Sequence, residues 1–291
     1  MSALASVRSV FRDGLFSGKT IVVSGGGTGI GRATARELAA LGAHVIICSR
    51  SLEHLEPTRE EIVESGGKVT ALICNIREPE SIEALFARAR EQGVKRVDGL
   101  VNNAGGQFIS PAEAISPRGW HAVVETNLTG AFLMSRAALD AGMREHGGAI
   151  VNIVAEMWRG FPGMAHSGAA RAGVVNLTQS LALEWAVYGI RVNAVAPGII
   201  DSSGLKTYPQ AVQEQVASIA AETPSLRLGT ESEIAATVTF LLSPAAAYIS
   251  GATLKVDGAS SLYRLQGYTI ADHVPWPRFT LFDEDGTAED G

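Results

Sequence analysis

Residues Lys19 to Gly31 read K-T-I-V-V-S-G-G-G-T-G-I-G, a β-branched run that breaks into glycines and reopens as an amphipathic helix. Gly25, Gly29 and Gly31 permit a tight turn and let backbone approach a pyrophosphate at the helix N-terminus, where free N–H groups and the helix dipole favour an anion. The chemistry implied is dinucleotide binding. A cofactor with a bare ribose calls for Asp or Glu at the end of the second strand, about 20 residues past the glycines, to accept from the 2′-hydroxyl. Here that strand ends in Cys48-Ser49-Arg50. A hydroxyl and a guanidinium suit the 2′-phosphate of NADP(H), to which Arg offers several donors and a permanent charge. The alternative for Arg50 is a solvated side chain opening the next helix. Asn75, after the third apolar run, can hydrogen-bond the adenine edge or serve as a cap or turn residue. Cys48 and Cys74 lie in separate apolar runs without metal-ligand spacing, so no metal site is expected and both thiols read as reduced and buried.

These residues need a scaffold that sets a strand end against a helix start. From residue 19 almost to the end, short β-branched runs alternate with longer stretches of helical period, the pattern of right-handed βαβ units around a parallel sheet. Expected strands are Thr20 to Ser24, His44 to Ser49, Val69 to Cys74, Gly99 to Asn102, Ala149 to Val154, Arg191 to Val195 and Thr253 to Val256. Expected helices include Ile30 to Leu41, Pro79 to Gln92, Trp120 to His146, Arg171 to Val187 and Glu231 to Leu242. The fold class is α/β: a single doubly wound Rossmann domain with a seven-stranded parallel sheet and helices on both faces. It is expected to span residues 1–291, with a core at 18–260 and a C-terminal extension at 261–291. No repeat or linker marks a second domain. Asp201 to Leu228 interrupts the alternation after the sixth strand, where a lid beside the ligand crevice would arise.

The 291 residues are 46% hydrophobic and 19% charged, too apolar and too weakly charged for disorder. Net charge is −6, and Asp283, Glu284, Asp285, Glu289 and Asp290 place five acids in a tail without Lys or Arg. The remaining body is nearly neutral, which argues against non-specific nucleic-acid binding. No apolar run approaches the roughly 18 residues that cross a bilayer, so no membrane partner and a cytoplasmic location are expected. The first dozen residues carry Ser and Arg with no acid before Asp13, a bias shared with transit peptides, but Phe11 to Gly18 reads as the lead-in to the first strand.

Asn102-Asn103-Ala104-Gly105 follows the fourth strand, Asn127 lies in E-T-N-L-T-G, and Ala196 to Gly198 reads A-P-G. With the glycine turn these resemble, in order and context, the short-chain dehydrogenase/reductase family, from about residue 18 to about 260. Within it the chain looks most like the peroxisomal trans-2-enoyl-CoA reductase branch. It shares G-G-Q-F-I-S-P-A-E at Gly105 to Glu113, G-W-H-A-V at Gly119 to Val123, H-S-G-A-A-R-A-G-V at His166 to Val174 and D-H-V-P-W-P at Asp272 to Pro277. The terminal Glu289-Asp290-Gly291 is not a peroxisomal address. The resemblance implies cofactor contacts from Ser24, Gly25, Thr28, Gly29, Ile30, Gly31, Ser49, Arg50, Asn75, Asn103, Ala104, Gly105, Arg171, Pro197, Gly198 and Ile200. It also implies a homotetramer built through the helices near Trp120 and Arg171 and through the C-terminal segment. There Tyr263, Tyr268, Trp276 and Phe279 are candidate anchors, or else pack on their own subunit.

The family's usual machinery is Asn, Ser, Tyr and Lys, with Tyr and Lys four apart on one helix. The frame A-G-V-V-N-L-T at Ala172 to Thr178 sets Ser167 at the Tyr position and Arg171 at the Lys position, on one helix face. The family's Ser position falls within Val154-Ala155-Glu156, so that hydroxyl is missing and only Asn127 remains of the four. Val175 stands where enoyl reductases of the branch are expected to carry Tyr. Catalytic candidates are therefore Asn127, Ser167, Arg171 and Glu156, the last either a proton source or a loop charge. His166 reads as a packed or capping residue rather than a base.

A serine hydroxyl and an Arg with a pKa above about 12 are poor acids near neutrality, so ordinary carbonyl reduction is expected to be slow. Hydride addition to a 2-enoyl thioester instead builds charge on the thioester oxygen and needs donors aimed at an enolate. The leading expectation is NADPH-dependent reduction of an acyl-CoA thioester, with Ser167 among the donors and Arg171 holding the ribose. The alternatives are an NADP(H)-dependent alcohol or carbonyl oxidoreductase acting on acyclic terpenoid alcohols, with Tyr208 of the lid as its acid, and a non-catalytic NADP-binding protein.

Overall fold

In the computed structural model residues 9–205, 208–263 and 270–281 are described; Tyr268 and the acidic tail lie outside them. Seven parallel strands form the sheet: β1 (Thr20–Ser24), β2 (His44–Ser49), β3 (Lys68–Ile73), β4 (Gly99–Asn102), β5 (Gly148–Ile153), β6 (Ile190–Pro197) and β7 (Thr253–Val256). Their order is β3-β2-β1-β4-β5-β6-β7. All seven expected strands are present, with ends differing by no more than two residues.

Alternate residues of each central strand enter opposite layers. Ile21, Val23, Val45, Ile47, Val101 and Val151 pack with Leu38 of α1 (Gly29–Ala40) and Val238 of the helix Glu231–Leu242. Val22, Ile46, Leu100, Ile150 and Val192 meet Ile82 and Phe86 of the helix Pro79–Glu91, together with Met134 and Leu181. Burial on both faces explains why these strands are continuously apolar.

Three features depart from the expectation. The helix read as Trp120 to His146 is broken: Pro117–Val124 passes through π-helical turns at Glu125–Thr129 and Leu139–Met143, and the second holds Gly142 at φ 123°. The helix expected from Arg171 begins six residues earlier and runs Ala165–Glu184, which brings His166 and Ser167 onto it. Asp201 to Leu228 contains a helix of its own, Gln210–Glu222, and is bracketed by a two-residue parallel pairing of Ile200–Asp201 with Gly229–Thr230.

The C-terminal segment is stitched to the end of this stretch. Trp276 N–H donates to the Ser225 carbonyl (3.1 Å), Arg227 donates to the carbonyls of Trp276 (2.8 Å) and Pro277 (2.7 Å), and Thr230 donates to that of Phe279 (2.7 Å). Phe279 packs beside buried Leu281, Ala33 and Ala235 of the same chain. Of the two readings of these aromatics, own-chain packing is thus realised for Phe279. Among the described residues no helix is long and apolar enough to cross a membrane.

Candidate active site

Strand order reverses between β1 and β4, so their C-terminal ends open a crevice, the place where open α/β sheets bind ligands. Gly25 takes φ 65°, and a Cβ there would come within 2.9 Å of the Ala104 backbone. A Cβ on Gly31 would collide with the Gly25 carbonyl oxygen. Ser24 Oγ accepts from the N–H groups of Asn103 (3.1 Å) and Ala104 (3.0 Å). Asn103 Nδ2 donates to the carbonyls of Ser24 and Gly25 (both 3.1 Å). The two walls are therefore tied together by the Ser24 side chain from β1 and the Asn103 side chain from the N-N-A-G motif. At the start of α1, Thr28 makes no side-chain cap and the first turn has no acid. Free N–H groups at the start of such a helix suit a pyrophosphate.

At the end of β2, Ser49 Oγ closes a local turn on Ser51 (2.6 Å). Arg50 is exposed and has no ion-pair partner among the described residues. Asn75 takes the turn role: its Nδ2 donates to Glu78 (2.6 Å) and its Oδ1 accepts from Arg77 N–H (3.3 Å). Pro197 and Gly198 close β6, with Gly198 N–H on the Val256 carbonyl (3.0 Å), and Ile200 follows, buried. The thiols of Cys48 and Cys74 are free and buried behind this edge.

The other end of the crevice is built on the first π-turn, a device common at functional sites. Asn127 lies within it, and its Nδ2 donates to the carbonyls of Val123 (2.8 Å) and Gly106 (2.7 Å). Its Oδ1 is buried without a partner. Arg171 is half-buried; one guanidinium nitrogen donates to the Ile153 carbonyl, and another lies against Gly105, where Asn127 Oδ1 also points. No carboxylate pairs with Arg171 among the described residues, and burial pulls its pKa down to about 10. An uncompensated cation beside an unsatisfied acceptor fits the ribose hydroxyls of a nicotinamide cofactor, since it offers both donor and acceptor.

Ser167 shares that helix face, but its hydroxyl is sealed from solvent and donates to Gln107 Oε1 (2.8 Å). Gln107 Nε2 in turn donates to the Tyr208 phenol oxygen (3.3 Å). The hydroxyl at the Tyr position therefore fixes a carboxamide rather than facing the crevice. Gln107 is a site residue that the sequence reading did not single out, although it sits two places beyond N-N-A-G in the shared G-G-Q-F stretch. His166 is buried, takes Ser167 N–H on Nδ1 (2.9 Å) and meets Phe108 edge-on at 4.4 Å, the packed and capping role. Glu156 is held at the end of β6 by its backbone N–H on the Pro197 carbonyl (3.1 Å), and its Oε1 is buried without a partner.

A glycine turn suited to phosphates, a crevice at the sheet's reversal and an Asn–Arg pair at its far end match the requirements of a nicotinamide-dinucleotide site. The family model described as enoyl-(acyl carrier protein) reductase matches residues 25–260. The chain belongs to the short-chain dehydrogenase/reductase family. Its relatives in the family include a protein described as a probable 2,4-dienoyl-CoA reductase of Bacillus subtilis (strain 168), 40% identical over 84% of this chain and 97% of the relative. The peroxisomal 2,4-dienoyl-CoA reductase of Rattus norvegicus is 37% identical over 88% of each chain. Among solved structures, a citronellol catabolism dehydrogenase of Pseudomonas aeruginosa PAO1 is 50% identical, with a TM-score of 0.77 over 87% of this chain and 99% of that one. This family member is an NAD(P)-dependent oxidoreductase, and the two acyl-CoA relatives named here are described as 2,4-dienoyl-CoA reductases.

Proposed function

We propose that this enzyme reduces the activated double bond of a 2-enoyl-CoA-type thioester, dienoyl thioesters included, using NADPH. One observation carries the reading: on the helix where the family keeps a phenol and an ammonium, Ser167 spends its hydroxyl on Gln107 and Arg171 stays charged, so neither is an acid near neutrality. The glycine turn and the start of α1 hold the pyrophosphate, Arg50 the 2′-phosphate, and Asn127 with Arg171 the ribose at the reacting end. Bound there, NADPH supplies a hydride. Charge then develops on the thioester oxygen, and donors fixed in advance stabilise it without reorganising. Gln107 is such a donor, because Ser167 holds its oxygen and turns its amide outward, while Arg171 adds a positive field. We further infer a cytoplasmic homotetramer.

The 50% identity to the citronellol catabolism dehydrogenase favours a second reading, NADP(H)-dependent oxidation of an acyclic terpenoid alcohol. One panel separates them: NADPH consumption with crotonyl-CoA, longer 2-enoyl-CoA and 2,4-dienoyl-CoA, against NADP⁺ reduction with citronellol and NADPH consumption with matching ketones. Turnover of the thioesters alone is the expected result. Turnover confined to alcohols and ketones replaces the first reading with the second. A tighter Kd for NADPH than for NADH, reversed in Arg50→Asp, tests the cofactor assignment.

A further inference from the structure

We propose that Tyr208, carried on the lid, is the proton donor of the reaction, aimed by Gln107. The inference rests on the oxidoreductase reading above but not on its substrate class. At the two positions where the family carries its Tyr and Lys, the helix Ala165–Glu184 offers no acid: the Ser167 proton is committed to Gln107 Oε1 at 2.8 Å, and Arg171 keeps its charge at neutral pH. That bond also orients the Gln107 carboxamide, with its oxygen toward Ser167 and its nitrogen toward the lid. The Nε2 group meets the Tyr208 oxygen at 3.3 Å across 101 positions of sequence. A phenol oxygen that accepts an N–H keeps its own proton for another acceptor, and the same contact favours the phenolate that remains after transfer.

Tyr208 is placed by the lid itself. Its backbone carbonyl accepts from Gln213 Nε2 (2.8 Å), and its N–H donates to the Leu205 carbonyl (3.1 Å). The phenol is thus set by the first turn of Gln210–Glu222 and reaches the crevice only where the lid lies over it. Tyr188 accepts from Arg144 (3.0 Å), and Tyr248 is fully exposed.

The step balances with water as the final proton source. As hydride bonds to the β-carbon of an enoyl thioester, the C=C pair becomes the enolate; the Tyr208 O–H bond breaks, its proton bonds to the α-carbon, and the phenolate takes a proton from water. With a carbonyl substrate the same proton goes to the oxygen as hydride reaches the carbon.

The test is Tyr208→Phe in the full-length enzyme, on both the thioester and the alcohol panels. The expected result is a fall in kcat of about 10²- to 10⁴-fold with NADPH affinity unchanged, and loss of the pH limb that the phenol contributes. A lid residue that only packs would raise KM and leave the pH profile in place. Less than about a threefold loss of kcat, or a pH profile that keeps its limb, overturns the proposal. Activity on alcohols alone removes the thioester reading and leaves the acid assignment to be judged by the same variant. If the wild type turns over neither panel, the oxidoreductase reading fails and this assignment falls with it, whereas a wild type that turns over either panel leaves Tyr208→Phe to decide the acid alone.

Discussion

Arg171 is a cation under a glycine, with no acid to answer it among the described residues, and that makes its identity testable through pH. Burial alone brings its pKa down to about 10, so it stays protonated across the neutral range. Lysine begins about two units lower than arginine and loses its proton more readily when desolvated. Arg171→Lys is therefore expected to lose activity as pH rises through neutrality, where the wild type does not, and Arg171→Met to be impaired at every pH. The check is kcat/KM against pH for the three proteins. Ser167 and Gln107 make a second contrast. If the carboxamide faces the developing charge and the hydroxyl only holds it, Gln107→Ala is expected to cost about 10²- to 10³-fold in kcat, the usual loss for one such donor. Ser167→Ala then costs less, because an unheld carboxamide still visits the right orientation. Equal losses would put the hydroxyl itself in contact with substrate.

At the scale of elements, α1 and the helix Glu231–Leu242 lie against each other over one buried carboxyl. Glu37 of α1 accepts from Thr239 (3.0 Å) and from Ser9 of the N-terminal lead-in (3.1 Å). Desolvation raises its pKa to about 7, outweighing both hydrogen bonds. A carboxyl whose folded pKa lies above its unfolded one favours folding while protonated, so its ionisation takes stability away as pH rises from about 4.5 to about 7. Glu37→Gln keeps a neutral hydrogen-bonding group there. It is expected to stabilise the fold by up to ~3 kcal/mol at pH values above that window and to have little effect below it, read as Tm against pH. The same elements show what periodicity could and could not disclose. Strands buried on both faces, such as Ile21 to Val23, announce themselves as apolar runs. The helix Glu56–Glu64 does not, because only Thr58 and Ile62 face inward. The π-turn at Asn127 is silent too: its cause is a side-chain amide taking the Val123 and Gly106 carbonyls, not a breaker residue. The cofactor end was legible because glycines act locally. The catalytic end was not, because Ser167 and Gln107 meet across 60 positions.

For the whole molecule, the question is what covers the apolar surface that the fold leaves outside. Leu183 is 81% exposed and Val187 80%, at the end of the helix Ala165–Glu184 and just beyond it. Trp120 and Phe132, on the neighbouring helices Pro117–Val124 and Gly130–Ala138, are 40% and 38% exposed. Large side chains left open on adjacent helices suit a self-complementary contact, in which a two-fold axis sets the same face against itself. The inferred homotetramer is thus expected in sedimentation velocity, and Leu183→Asp with Val187→Asp is expected to divide it. Charges at positions so open disturb no interior packing, so the divided protein should unfold at nearly the wild-type temperature, less what assembly itself contributes. Gln107, Asn127, Ser167, Arg171 and Tyr208 come from one chain, so the divided protein should also keep its affinity for NADPH. A wild-type protein that sediments as a monomer removes the assembly. A divided protein that no longer binds cofactor would mean that a neighbouring subunit shapes the crevice, and that the lid needs the tetramer to stay in place.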